Sequence, residues 1–450
     1  MNGKELLFAV LERRDAPRAP WVPYAGVHAG KLIGAKAKDI LQDADLLYQA
    51  LLEVNRLYRP DGQPVLFDMQ MEAEVLGCEL LWADFAPPSI DSHPLEENKE
   101  VPCDCSIPGK TDGRIPLALD VMRRMKAAVG DTTALYGLTT GPLTLASHLR
   151  GVNLFRDLRK DPEYARALID YCVKVNLAMT GYYIEAGMDV IAPVDPMVSQ
   201  ISPGDFEKYL HEGYAAIFTF IRGKGAYSSF FVCGDATRNI EAMCRTNPDC
   251  IAVDENIDMG TAKAITDNFN IVLSGNIPLS SVMMYGTQQD NMKYVVDLLD
   301  GLGHRNLIVA PGCDMPYDIP VENTVAAAQA VCETEQVREM VENYESAGDE
   351  IDVELPDYAR LPRPLIEAYT LDSATCAACT YMWATVREAK ARFGDRIDIV
   401  EYKYTERINI ARCKKAGVRK LPSIYVNGEL KYSSLIPDKD ELFAVIEALL

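Results

Sequence analysis

The chain has 450 residues, enough for two domains with sizeable cores, and its apolar fraction of 48% is ordinary for a globular protein. A formal net charge of −21 excludes a protein that tracks nucleic-acid phosphates or an anionic membrane, since both tasks need clustered Lys and Arg. No secretory leader is read at the N-terminus and no apolar run approaches a membrane span, so a cytoplasmic protein is expected.

The opening residues, MNGKELLFAVLERRDAP, predict an amphipathic helix with Asn2 as N-cap and Glu5 completing a capping box. Eight strand-like apolar runs follow: Trp21–Ala25, Pro64–Met69, Ala134–Leu138, Met188–Val194, Tyr227–Cys233, Cys250–Asp254, Ile271–Ser274 and Asn306–Ala310. Amphipathic stretches such as Asp39–Tyr58, Pro162–Ala186, Pro203–Arg222 and Gln288–Leu302 lie between most of them, with apolar residues at helical spacing. The pattern predicts an α/β chain built on a (β/α)8 TIM barrel, with a doubly wound sheet as the alternative on pattern alone. The insert APPSIDSHPLEENKEVPCDCSIPGKTDG between the second and third runs is rich in Pro, Asp and Gly and reads as surface loop. Its Cys103 and Cys105 are a weak metal signal.

Polar residues gather where a barrel places its chemistry. Asp68, Thr139, Thr140, Asp195, Cys233, Glu255, Asn276 and Cys313 fall at or just past the C-terminal ends of the runs, the catalytic face of such a fold. Cys233 and Cys313 each follow an apolar run and precede a Gly- or Asp-containing turn, CGDA and CDMP. Two thiols aimed at one point form a soft ligand pair suited to zinc. Asp68 and Asp195 are the candidate catalytic carboxylates, placed to bind substrate or orient a ligand, although either could instead cap the turn after it. The twelve cysteines are scattered through a long chain, which favours reduced thiols, ligands or redox chemistry over a disulfide framework.

After Ala330 the pattern changes. VCETEQVREMVENYESAGDEIDVELPDYARLPRP begins helical and ends as an acidic, Pro-containing linker. The expected division is a barrel at 1–345, a linker at 346–363 and a small domain at 364–450. That last unit reads strand (LIEAYTL), DSATCAAC, helix, strand (RIDIVEYKY), helix (INIARCKKAG), KLPSIYVNGELKYSS and a final helix. Carried by Cys376-Ala-Ala-Cys379 opening a helix and by Leu421-Pro422 before a strand, it resembles the thioredoxin or glutaredoxin fold along its length. The resemblance implies a redox pair in which Cys376 is the nucleophile, Cys379 resolves the mixed disulfide, and a cis Pro422 packs against both. The alternative is half of a structural zinc site. The unit departs from thioredoxin itself in lacking Trp before the motif and Gly-Pro within it.

The segments VLFDMQMEAEVLG, GLTTGPLTLASHL, GMDVIAPVDPMVSQISPGDFEKYL, IAVDENIDM, VLSGNIPLSSVMMYGT and APGCDMPYDIPVENTVAA resemble the uroporphyrinogen decarboxylase superfamily in order and spacing. The resemblance implies the same barrel and two candidate activities. Decarboxylases carry an N-terminal arginine-rich segment, absent from PWVPYAGVHAGKL here, and a histidine where this chain has Cys313; Asp68 matches their catalytic aspartate. The cobamide-dependent, coenzyme M-type methyltransferases are similar at Cys233 and Cys313, two positions that bind zinc in that branch together with a histidine. Phe231 stands where that histidine is expected, so Glu255 or His28 is the named candidate to complete the site. A zinc-dependent methyltransferase is therefore implied, moving a methyl group between a corrinoid protein and a thiol or methylated small molecule. Because the chain has no Asp-x-His-x-x-Gly signature, the corrinoid would come from a partner. The alternatives are a metal-free decarboxylase using Asp68 and a redox-regulated, non-catalytic relative. The CAAC unit would keep Cys233 and Cys313 reduced, present a thiol or dock a redox partner.

Overall fold

Seven strands form one parallel sheet in the computed structural model, which describes residues 1–346, 351–374 and 376–450. They are β1 (Gly62–Leu66), β2 (Ala134–Thr140), β3 (Val190–Val194), β4 (Tyr227–Val232), β5 (Cys250–Val253), β6 (Val272–Ile277) and β7 (Leu307–Pro311), paired in chain order. Each crossover carries helix, including Ile115–Val129, Pro162–Glu185, His211–Gly223, Met259–Asn268 and Gln288–Leu302. A strand order that never reverses leaves no switch point and excludes the doubly wound alternative.

The eighth run, expected at Trp21–Ala25, does not become a regular strand. Pro20 precedes it and Pro23 stands inside it, and neither has the N–H a ladder needs. What remains is a single parallel bridge from Trp21 to Val309. Val22 N donates to Val309 O at 3.0 Å and Val309 N donates to Pro20 O at 2.9 Å. On the other side, Asp61 N and Gly62 N donate to Trp21 O at 2.9 and 3.3 Å. The sheet therefore curls until β7 and the start of β1 flank one residue, without a continuous ladder closing the ring. Asp61 pins this seam: Trp21 N donates to its Oδ2 at 2.8 Å, and both Arg18 Nη atoms donate to its two oxygens at 2.6 and 2.9 Å.

The predicted first helix forms over Gly3–Leu11 with the expected Asn2–Glu5 capping box. Its Leu7, Val10 and Leu11 join a core with Tyr24, Phe67, Tyr136, Val190, Phe231 and Ile308. Each such aliphatic side chain contributes about 1.5–3 kcal/mol on burial. The insert is mostly irregular, as expected, with a two-residue ladder between Leu80–Leu81 and Ser89–Ile90. Its Cys103 and Cys105 are joined as a disulfide rather than held as reduced thiols.

The C-terminal unit has a separate sheet: β8 (Leu365–Thr370), β9 (Asp398–Lys403), β10 (Ser423–Val426) and β11 (Glu429–Ser433), in the order β9-β8-β10-β11. β8 and β9 are parallel, while β10 and β11 are antiparallel to their neighbours. The alternation of β8 sends Ile366 and Ala368 to a core with Met382, Val386, Leu442 and Ile446, and sends Tyr369 to the opposite face with Cys413 and Tyr425. Of the expected linker, 347–350 lie outside the described residues. Beyond them Val353 is buried, Arg412 donates to Glu354 O at 3.1 Å, and Tyr358 donates to Glu367 at 3.0 Å, so this stretch packs on the C-terminal unit. No helix among the described residues is long and apolar enough to cross a membrane.

Asp61→Ala strands the Trp21 N–H and the Arg18 guanidinium at the seam, and is expected to lower unfolding free energy by about 2–4 kcal/mol in urea denaturation. A change within error would show that the seam does not depend on this carboxylate.

Candidate active site

The exits of β4, β5 and β7 build the site. Cys233 follows β4 and is succeeded by Gly234 at φ +80°, a conformation that favours glycine. The Gly234 N–H donates to Asp254 Oδ2, and Asp254, just past β5, also accepts from Asn256 N at 2.7 Å. After β7, Gly312 passes so close to the β5 exit that a Cβ there would stand 2.8 Å from Glu255 N. Asp314, next to Cys313, accepts from Gly26 N at 2.8 Å. Held from both sides in this way, Cys233 Sγ and Cys313 Sγ stand 2.7 Å apart, both half-buried.

Beneath the sulfurs lies an aromatic floor. Phe231 shares the inward face of β4 with Cys233, two residues on, and is fully buried. Its ring centroid lies 4.8 Å from Tyr24 and 5.9 Å from Phe67. Position 231 is thus part of the interior packing rather than a donor to the mouth.

Burial governs the electrostatics. It pushes the Asp254 carboxyl up to about 6 and the Asp314 carboxyl up to about 8. Glu255 is raised to about 8, by burial first and the charge of Asp254 second, and its Oε2 is buried without a hydrogen-bond partner. The Cys233 thiol is pushed well above its ordinary range by its hydrogen bond to Cys313, then by burial and the nearby charges of Cys313, Asp254 and Asp314. Near neutral pH, Cys233 is therefore a neutral thiol, Glu255 and Asp314 are largely protonated, and Asp254 is largely ionised.

The other expected residues divide. Asp68 lies past β1, where its Oδ2 accepts from Arg114 Nη1 and its Oδ1 from Gln70 N at 2.9 Å. Arg114 also donates to Glu74 at 2.6 Å and stacks over Trp82. Asp195 is fully buried and accepts from Leu143 N, Thr144 N, Thr144 Oγ1 and Tyr214 Oη at 2.6–3.0 Å. That set ties β3 to the first turn of the Pro142–Arg150 helix, which follows β2 rather than β3. His28 is also buried: its Nδ1 donates to Tyr317 O at 3.1 Å and its Nε2 accepts from Tyr58 Oη at 2.7 Å. Both nitrogens are committed, and burial lowers its pKa to about 4. Thr140 donates to the buried Glu72, and Asn176 donates to Thr139. The sequence reading missed Asp254, Asp314 and Arg114; the first two adjoin residues it did name, whereas Arg114 closes an insert with no local signal.

As arranged, these residues do not fit a tetrahedral zinc. Two thiolates on one zinc lie about 3.8 Å apart, given a Zn–S bond of about 2.3 Å, whereas these sulfurs are 2.7 Å apart. His28 has no free lone pair, and among the described residues no group of three His, Cys, Asp or Glu side chains is gathered to hold a metal.

In the C-terminal unit, Cys376 caps the Ala377–Phe393 helix, accepting from Cys379 N at 3.3 Å, and the two cysteines are paired as a disulfide. Cys379 is buried and Cys376 half-exposed. The Leu421–Pro422 peptide is cis, as the resemblance implied.

Residues 2–334 match the family described as Uroporphyrinogen decarboxylase (URO-D), and residues 369–447 match a Thioredoxin domain. The Methylcobamide:CoM methyltransferase MtbA of Methanosarcina acetivorans is 27% identical over 330 residues, covering 71% of this chain and 94% of that protein. The Uroporphyrinogen decarboxylase of Wolbachia pipientis is 26% identical over 301 residues, 65% of this chain and 85% of that one. A solved structure, a methyltransferase from Methanosarcina mazei, superposes with a TM-score of 0.67 at 23% identity, over 74% of this chain and 99% of that one.

The raised Glu255 has a consequence for stability. The unfolded chain ionises this carboxyl near 4.5, while the folded chain keeps its proton to about 8. Stability therefore falls as pH rises between those values and levels off above them, and Asp314 acts in the same direction. Asp254 is raised as well, so Glu255→Gln removes one of three such titrations, and urea denaturation at about pH 5 and about pH 8 should show a smaller loss in the variant than in the parent. An equal loss in both would place the Glu255 carboxyl in water.

Proposed function

The chain belongs to the uroporphyrinogen decarboxylase (URO-D) family, and from that membership we propose that it is a methyltransferase moving a methyl group between a corrinoid protein and a thiol or methylated small molecule. One observation carries the reading: Cys233 and Cys313, from strands three positions apart, bring their sulfurs together at the mouth of the sheet. Relatives named as methylcobamide:CoM methyltransferases, matched over 94% of their own length, support it.

The surrounding residues suit transfer to or from sulfur. Tyr24, Phe67 and Phe231 exclude water below the reacting atoms, so a methyl group arriving there is shielded from competing nucleophiles. Asp254 and Asp314 hold the two turns, acting as positioning residues. Neutral thiols must lose a proton before they attack carbon. Zinc on Cys233, Cys313 and Glu255 would require the sulfurs to separate first, and no step is assigned to it.

The decarboxylase alternative rests on Asp68, whose two oxygens already accept from Arg114 and Gln70. The readings separate in one assay of the full chain, with methylcobalamin as methyl donor and dithiothreitol or 2-mercaptoethanesulfonate as acceptor. Cys233→Ser and Cys313→Ser are each expected to lower methyl transfer by about a hundredfold or more, a loss of about 2.7 kcal/mol in barrier lowering. Full activity in both variants, or chelator-insensitive decarboxylation of a polycarboxylate abolished only by Asp68→Asn, would overturn the methyltransferase reading. Measured metal content, compared between parent and double variant, reports whether the pair opens onto zinc in solution.

A further inference from the structure

The charge of the chain is unevenly divided. Residues 351–450 carry fifteen acidic and fifteen basic side chains, so the formal charge of −21 belongs wholly to residues 1–350. Within the neutral C-terminal unit the charge is sorted again. Residues 407–420 hold Arg407, Arg412, Lys414, Lys415, Arg419 and Lys420, with no Asp or Glu among them. All but Arg412 are exposed. Arg412 stacks over Tyr402 and donates to Glu354 O, and Lys415 pairs with Asp352.

Topology carries the two ends of this segment to the redox pair. β8 and β9 run parallel with Thr370 opposite Lys403, and β10 starts with Ser423 opposite Tyr369. The turn after β9 and the approach to β10 therefore both reach the end of the sheet where the CAAC helix begins. Tyr404 N and Thr405 N donate to Thr370 O and Leu371 O at 2.8 and 3.2 Å, two residues before Arg407. The Leu371 N–H donates in turn to Cys379 Sγ at 3.4 Å. Leu371 and Val418 pack against one cluster with Leu421. Arg419 and Lys420 are the residues between Val418 and Leu421, and they lead into the cis Leu421–Pro422 peptide. The acids of the same rim are engaged. Asp372 pairs with Lys403 at 2.7 Å, Glu401 accepts from Thr370 Oγ1 and Ser373 N, and Glu406 accepts from Asn409.

We propose that the Cys376–Cys379 pair selects anionic disulfides, those set among carboxylates, and that Arg407, Arg419 and Lys420 make the selection. The inference rests on the reading of Cys376–Cys379 as a working redox pair, to which it adds a substrate class. The Cys376 thiolate at the helix N-terminus attacks one sulfur of the incoming disulfide, and the other sulfur leaves as thiolate. Cys379 then gives its proton to solvent, attacks Cys376 Sγ and releases the second sulfur as thiolate. Two electrons pass to the substrate, and the CAAC pair ends as the disulfide. Cations on the rim raise the encounter rate of a partner that brings carboxylates and repel one that brings ammonium groups. Because these cations are exposed, salt screens the selection, with a Debye length of about 10 Å at 0.1 M.

The test uses the full chain in a Cys103→Ser/Cys105→Ser background, reduced and then freed of reductant. The same chain with Cys376→Ser/Cys379→Ser is the blank for the remaining thiols. Three disulfides on one two-carbon frame serve as substrates: dithiodipropionate (anionic), hydroxyethyl disulfide (neutral) and cystamine (cationic). Each rate is divided by that of dithiothreitol with the same disulfide, which removes the disulfide's own reactivity. At about 10 mM salt the anionic disulfide is expected to react at least about tenfold faster than the cationic one, falling to about twofold or less at about 0.5 M. Arg419→Glu/Lys420→Glu is expected to abolish the preference with thermal melting unchanged. Arg363→Glu/Arg396→Glu, which reverses cations just before β8 and β9 at the other end of the sheet, is expected to keep it. Disulfide-closed peptides flanked by glutamate or by lysine identify the source. A larger ratio for the peptides than for the small molecules marks an acidic protein surface, and an equal ratio marks a small disulfide. Equal rates for the three disulfides, a preference unmoved by salt, or a preference kept in Arg419→Glu/Lys420→Glu overturns the selection and leaves the redox pair standing. No exchange above the blank with any disulfide removes the pair itself, and the inference with it.

Discussion

Everything at the candidate site depends on the curl of one sheet. Cys233 and Cys313 ride strands separated by two others, and three steps across a flat sheet span about 14 Å. Their sulfurs meet only because inward side chains converge as the strands wrap, which is why the seam matters. There the sheet's two edges reach the same residue, Trp21, and Asp61 keeps that residue in place from the side. A doubly wound sheet with the same strands and residues would leave the two thiols on separate strand ends with nothing in common.

The second constraint is dielectric. Three carboxyls stand at the exits of β5, beside the strand that leads to Cys233, and of β7, the strand that leads to Cys313, and burial raises the pKa of each. Charge arriving with a substrate or partner is therefore felt strongly there, since little water remains to screen it. Arg114 is shared between Asp68 and Glu74.

Much of this was legible in the sequence where the signal was local. The Asn2–Glu5 cap, the seven strands, the surface insert and the helix-opening CAAC motif each announce themselves within a few residues. The cysteine pair was legible because each thiol stood where an apolar run gave way to a turn. What could not be read depended on remote partners. Asp195 sits at a strand end, but its hydrogen-bond partners, Tyr214 and the helix at Pro142–Arg150, are remote in sequence. His28 is hydrogen-bonded in the interior, and the partners that occupy its nitrogens, Tyr58 and Tyr317, are not local in sequence. The run at Trp21–Ala25 misled for a different reason: its hydrophobicity belongs to the interior, but its prolines deny it a ladder. Apolar pattern reports burial, whereas strand formation also needs donors.

The seam at Trp21 also sets an order of assembly. Its hydrogen bonds join residues near the start of the barrel unit to Val309, close to its end, so they close a loop spanning almost the whole unit. Loops of that length are entropically costly to close before the intervening structure has condensed. On a chain made from its N-terminus, Trp21 waits for the last strand, and the thiols stay apart until that strand arrives. The two sulfurs are neighbours only in the folded sheet, where β4 and β7 are both in place.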